Sequence, residues 1–265
     1  MRQLSLCILS LFLLQGCFLR ENPIKVSMKS DDFLSKILKN KDDYEIQIAY
    51  TEITRDKYGE PVFRDFELQV DEEVYFYPAS TIKLPIIVLT LDKINDLRST
   101  GIDITPKSKI IVSSTHDENN QIQKDSITSF QNLIADVFLV SDNTASNILI
   151  DFIGHNYFNT KMVQAGFKHT YLNHKFNPDP YVNINWKIKT LKNELISSNE
   201  NQITITADQK TLRLKKGKKK FQDGIVINGS FDFSQKNRSS VTDMHNVIKR
   251  IIFPLEFDKD KTFNL

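Results

Sequence analysis

The chain has two cysteines, Cys7 and Cys17, and both lie within its first seventeen residues. Everything after Cys17 therefore has no internal disulfide available to it, and its fold has to be held by packing alone. The composition provides for this: 40% of the residues are hydrophobic and 26% are charged, the balance of a globular chain. Residues 17–265 are enough for one large domain or two small ones.

The first seventeen residues, MRQLSLCILSLFLLQGC, carry a single charge at Arg2. The apolar run Leu4 to Leu14 is well short of the roughly twenty residues that cross a bilayer. Gly16, a small residue, precedes Cys17. Residues 1–16 read as a cleaved export signal. Leu14-Gln-Gly-Cys17 also resembles a bacterial lipobox, which implies acylation of the Cys17 thiol. On that reading residues 17–30 tether the domain to a bacterial membrane, facing the periplasm or the cell surface. An ordinary signal peptide with a cysteine in this place is the alternative. Loss of Arg2 lowers the formal charge from +2 to +1, too near neutral to suggest a nucleic-acid partner.

Asn22 to Ser30 is largely polar, and acidic residues then open an amphipathic pattern over Asp31 to Lys39 that predicts a helix. Tyr44 to Tyr50 alternates, and Phe66 to Tyr77 is aromatic and branched; both read as strands. Helices are expected from about Ser80 to Asp96, Ser129 to Phe138, Asn143 to Phe152 and Asp243 to Ile252. The last of these has Met244, Val247, Ile248 and Ile251 on one face, and Pro254 ends it. Gln202 to Thr206 alternates as a strand does. The run Lys215-Lys-Gly-Lys-Lys-Lys220 could meet an anionic surface, but reads better as a solvated hairpin tip.

Chemistry is concentrated at Tyr77-Pro-Ala-Ser-Thr-Ile-Lys83. A serine hydroxyl needs a neighbour to accept its proton, and residues three apart on a helix share a face, so Lys83 can come within reach of Ser80. A serine at a helix start also has free N–H groups and the positive end of the helix dipole beside it, which favour an oxyanion and a neutral lysine. By itself the spacing equally describes a helix cap followed by a surface lysine. A second cluster, Ser141-Asp142-Asn143, opens another helix sixty-one residues after Ser80.

The two motifs, in this order and at this separation, resemble those of the class A serine β-lactamases and the penicillin-binding proteins. Pro85, the apolar helix that follows it, Asn147 and Leu149 add to the likeness. The resemblance implies an α+β fold with an antiparallel sheet flanked by helices and an all-helical subdomain. It also implies roles: Ser80 as the acylated nucleophile, Lys83 as its proton acceptor, Ser141 as a relay to the leaving nitrogen, and Asn143 as a donor to Lys83 and to the substrate amide. The N–H of Ser80 would supply half of an oxyanion hole. The expected substrate is a β-lactam or a cell-wall peptide. No cofactor is expected, and the five histidines show no metal-binding spacing.

Two features depart from the family pattern. The glutamate that activates water in class A enzymes would fall near Phe176 of His174-Lys-Phe-Asn-Pro-Asp-Pro180, where there is none. Asp179 is the nearest carboxylate, and between two prolines it suits a turn. The third motif, K-[S/T]-G, is matched only loosely by Lys215-Lys216-Gly217 and by Lys261-Thr262-Phe263. Mapping the helix at Asp243 to Ile252 onto the one that precedes the family's last strands makes residues 187–233 an insertion in a single domain over 31–265, with the closing strands expected to be missing. The functional expectation is a serine hydrolase that forms an acyl-enzyme, with weak turnover. The alternatives are a D,D-peptidase and a non-catalytic envelope lipoprotein that keeps the fold.

Overall fold

The computed structural model describes residues 21–116, 122–176, 184–197, 214–222, 224–258 and 262–263. It divides into two compact units, Met1–Asp71 and Glu72–Leu265.

In the first unit, helix α1 (Pro23–Lys29) begins where Asn22 accepts a hydrogen bond from the Ile24 N–H and a proline fills the first turn, a position that suits proline because that N–H has no helical acceptor. Ile24 and Met28 are buried with Leu68, and Ile37, Leu38, Ile48 and Phe66 pack around them. Part of the expected tether is thus a helix with an apolar face. Helix α2 (Asp32–Lys39) is capped by Asp31. Strands β1 (Ile48–Arg55) and β2 (Pro61–Leu68) form an antiparallel hairpin. Both strands are displaced from their expected places because the turn governs the register. Asp56 accepts from the N–H groups of Tyr58 and Glu60, and Gly59 takes φ +88°.

The aromatic run that ends at Tyr77 is not a strand beyond Leu68. It contributes one bridge, Phe76 to Ser239, because its side chains are taken up by packing instead. Tyr75 donates to the Asn237 carbonyl, and both Tyr75 and Tyr77 pack on Phe233.

The second unit is built around helix α3 (Lys83–Ser99), which follows a 3₁₀ turn at Ala79–Ile82. Its residues Ile86, Ile87, Val88, Leu89 and Ile94 are buried, so it is covered on most sides. Strands β3 (Lys109–His116) and β4 (Ile122–Ser129) lead to helix α4 (Phe130–Val140), capped by Ser129. Helix α5 (Asn143–Ile153) packs between α3, α4 and strand β5 (Ile184–Thr190). Helix α6 (His155–Gln164) follows it. The sheet order is β4-β3-β5, antiparallel throughout, with Ile110, Val112 and Ile188 in the core. Phe130 and Phe152 meet at 4.4 Å between centroids.

Lys187 lies inside strand β5, paired with β3, and its neighbour Ile188 is fully buried. Gln202 to Thr206 lie outside the described residues. The lysine run also differs from expectation. Lys215 and Lys216 form β6, and Lys219 to Gln222 form β7; these pair with β9 (Phe231–Asp232) and β8 (Ile225–Asn228). The lysines line one arm of a ribbon that reverses between Gln222 and Ile225, where Gly224 has φ +80°. Helix α7 (Val241–Ile252) starts at a Ser240 cap, two residues before the expected Asp243. It buries Val247 while Ile248 stays exposed. The mixed fold with antiparallel sheets is the one the sequence implied.

Candidate active site

The segment that carries Ser80 begins with an unusual backbone. Ala79 has φ +46°, a left-handed conformation that costs a non-glycine residue of order 1–3 kcal/mol. The 3₁₀ turn that follows presents Ser80 to solvent. Among the described residues no hydrogen bond is made by the Ser80 hydroxyl or by its backbone N–H.

Lys83, the first residue of α3, is 3% exposed. Its Nζ donates to the Ser141 carbonyl at 2.5 Å, to Ser141 Oγ at 3.1 Å and to Asn143 Oδ1 at 2.7 Å. The local sequence explains why those acceptors converge. Helix α4 ends at Ser141, which adopts the left-handed conformation (φ 54°, ψ 40°) and returns its N–H to the Val137 carbonyl. Asp142 then caps α5 by accepting from the Ala145 N–H at 2.6 Å. The Ser141-Asp142-Asn143 tripeptide thus closes one helix and opens the next. Burial lowers the Lys83 pKa, while the nearby Asp142 carboxylate opposes that shift.

The structure therefore brings together Lys83, Ser141 and Asn143. Ser80 stands one turn before Lys83, but the expected hydrogen bond between them is not made, because the amine's three protons are directed at three oxygens on the α4–α5 corner. The Lys83–Ser141 Oγ contact is a route along which a proton can pass in either direction.

The place expected for a glutamate holds a phenyl ring in contact with the amine. Phe176 lies 4.7 Å from Lys83 Nζ, ring centroid to nitrogen. Its backbone is fixed by Asn147, whose Nδ2 donates to the Phe176 carbonyl at 2.6 Å and whose Oδ1 accepts from its N–H at 2.8 Å. The neighbouring Lys175 is anchored to Asp151 at 2.7 Å and to Asn185 at 2.8 Å, tying this loop to α5 and β5. The ring and its two-bond mount were not legible beforehand, although Asn147 and position 176 had both stood out. Cys17, Asp179 and Lys261 lie outside the described residues. Lys215 and Lys216 belong to the ribbon, and Phe263 is buried against Phe167. Among the described residues no group of three or more His, Cys, Asp or Glu side chains could hold a metal ion.

A comparison with curated proteins gives no match. Among solved structures, the crystal structure of a beta-lactamase from Sphaerobacter thermophilus DSM 20745 aligns at 19% identity with a TM-score of 0.33. The alignment covers 57% of this chain and 56% of that one, so the chain spans a little over half the length of that protein. The model of the Beta-lactamase enzyme family matches residues 29–259. That is most of the chain, and with two motif clusters folded around one buried lysine, the chain belongs to the beta-lactamase enzyme family.

Proposed function

We propose that the protein is a serine hydrolase that is acylated at Ser80 by a β-lactam or a related cell-wall peptide amide. The observation that carries this reading is the buried Lys83 amine, held by Ser141 and Asn143 one turn from an exposed serine. A binding module has no need of such an arrangement. When Lys83 is neutral it takes the Ser80 proton as Oγ bonds to the carbonyl carbon. The carbonyl oxygen gains negative charge near the Ser80 N–H; as the C–N bond breaks, the nitrogen receives a proton through Ser141. Asn143 fixes the lysine and can meet the substrate amide.

Phe176 favours a second element of the reading. With a phenyl ring where the family's water-activating carboxylate belongs, the acyl-enzyme lacks a base to direct water at its ester. Acylation then outlives the encounter, as in a penicillin-binding protein, and D,D-peptidase chemistry is favoured over β-lactam turnover. The chain is proposed to work outside the cytoplasm, anchored through a lipid on Cys17. Among the described residues no helix is long and apolar enough to cross a membrane. Labelling with a fluorescent penicillin tests the proposal: a band is expected with the native chain and none with Ser80→Ala. Equal labelling of both would overturn it by moving the nucleophile off Ser80, and labelling of neither would leave the non-catalytic lipoprotein.

A further inference from the structure

Beside the segment that puts Phe176 on the Lys83 amine lie two imidazoles that the chemistry above does not use. His174 stands two residues before Phe176, and His155 opens helix α6. The Nε2 atoms of both rings are buried and have no hydrogen-bond partner among the described residues. His174 Nδ1 lies 2.7 Å from the Lys175 carbonyl oxygen. A carbonyl only accepts, so Nδ1 carries the proton, and Nε2 of the neutral ring is a bare lone pair.

A second proton on either ring would be badly placed. The charges of Lys175 and His174 bear on His155, and that of Lys236 bears on His174. The nearby carboxylate, Asp151, is already engaged by Lys175 Nζ at 2.7 Å and by the Trp186 N–H at 2.8 Å. An imidazolium Nε2–H would therefore be buried beside cations and without an acceptor. Burial first, and these charges second, lower the pKa of both rings, that of His155 to about 4.

The way the segment is held decides what gives way. From Asn173 to Phe176 its backbone is mounted on two asparagine side chains. Asn237 Oδ1 accepts from the N–H groups of Asn173 at 2.7 Å and His174 at 2.9 Å, and Asn237 Nδ2 donates to the His174 carbonyl at 3.1 Å. Asn147 holds Phe176 in the same manner. Side-chain mounts of this kind can let go while the core around Ile86, Val112 and Leu149 stays packed.

We propose that His155 and His174 form an acid-operated release for residues 173–176: protonation frees the segment from Asn237 and lifts the Phe176 ring off Lys83 while the core stays folded. The sign follows from which state binds the proton. In the released segment the rings reach water and titrate near the ordinary 6.5, so the seated form is fully favoured above that pH and loses ground below it. Between pH 7.5 and 5.0, His155 alone should raise the ratio of released to seated chains about thirtyfold. His174 acts in the same direction. The inference concerns the seating of the ring and stands apart from acylation at Ser80.

Residue-resolved hydrogen exchange on the full chain tests it without any substrate. Protection factors, which remove the intrinsic pH dependence of exchange, are expected to fall about thirtyfold or more for the N–H groups of Asn173, His174 and Phe176 between pH 7.5 and 5.0. Those of Ile86 to Leu89 in α3 and of Val112 in β3 should hold. His155→Gln combined with His174→Gln should cancel the fall. Unchanged protection at 173, 174 and 176 would overturn the proposal, and so would an equal loss in α3, which is acid unfolding of the whole unit. A fall that persists in the double variant would assign it to other groups and overturn it as well. The parent chain gives a reading that needs no variant: the Cε1 protons of His155 and His174 should titrate with the same midpoint as the loss of protection, and separate midpoints would break the link.

Discussion

Replacing Phe176 with glutamate should convert a trapped acyl-enzyme into one that turns over. The substitution is local, because Asn147 holds the residue-176 backbone through its carbonyl and N–H and neither bond depends on the side chain. The ring's interaction with the Lys83 amine at 4.7 Å is worth about 1–2 kcal/mol in a partly desolvated place. A carboxylate there would regain a comparable amount from the same cation, so Phe176→Glu should fold. A positioned general base contributes about 10²- to 10⁴-fold, equivalent to about 3–5 kcal/mol of barrier, and deacylation should quicken by that factor. The new carboxylate also favours the charged form of Lys83, so acylation at a given pH should slow somewhat. The assay is a nitrocefin burst followed by the steady state, with decay of the acyl adduct followed by intact-protein mass. Phe176→Gln has nearly the same reach without a base and should decay as the parent does. Equal decay of the Glu and Gln variants, with acylation intact, would refute the reasoning; so would a parent chain that already turns over as fast.

Other consequences follow from the same contacts. Burial lowers the Lys83 pKa, so the acylation rate should rise with pH as the amine deprotonates and level off below the ordinary lysine value near 10.4; Lys83→Arg, which stays charged, should acylate about 10²- to 10⁴-fold more slowly, as read by the rate of fluorescent-penicillin labelling. Asn147→Ala removes both bonds to Phe176 and should cost about 1–3 kcal/mol in urea denaturation. His155 has its pKa lowered to about 4, first by burial and then by Lys175 and His174. Because the folded value lies below the unfolded 6.5, the unfolded chain binds the extra proton. Stability should then be full above about pH 6.5 and fall by about 2–3 kcal/mol as pH drops towards 4. Denaturation curves of His155→Gln should lack that part of the slope, and an unchanged slope would assign it to other groups.

The sequence disclosed whatever is decided locally. Ser129, Asp142 and Ser240 each precede an apolar helical pattern, and each caps a helix through its side chain. The pairing of Ser80-x-x-Lys83 with Ser141-Asp142-Asn143 pointed to the residues that meet at Lys83, but with Asn143 as the donor; the amine has three protons to give, and Asn143 Oδ1 accepts one of them. What depends on partners far away in the chain was hidden. Val74 to Tyr77 has strand composition, yet Tyr75 and Tyr77 pack their rings on Phe233 and the run contributes only the Phe76–Ser239 bridge. Ile188 becomes core only because β5 finds β3 more than seventy residues away in sequence. The missing glutamate was visible as an absence, but the phenyl ring on Lys83 follows from the Asn147 mount, a contact across twenty-nine residues. The lysine run read as a tip because glycine at 217 suggested the turn, whereas the chain reverses at Gly224.

The most direct test of the central claim is the intact mass of the chain after brief exposure to benzylpenicillin, with the adduct located by peptide mapping. The expected result is one penicilloyl group per chain on Ser80, persisting long after free penicillin is removed and absent from Ser80→Ala. An unmodified mass, or an adduct that survives in Ser80→Ala, would contradict the assignment of Ser80 as the nucleophile.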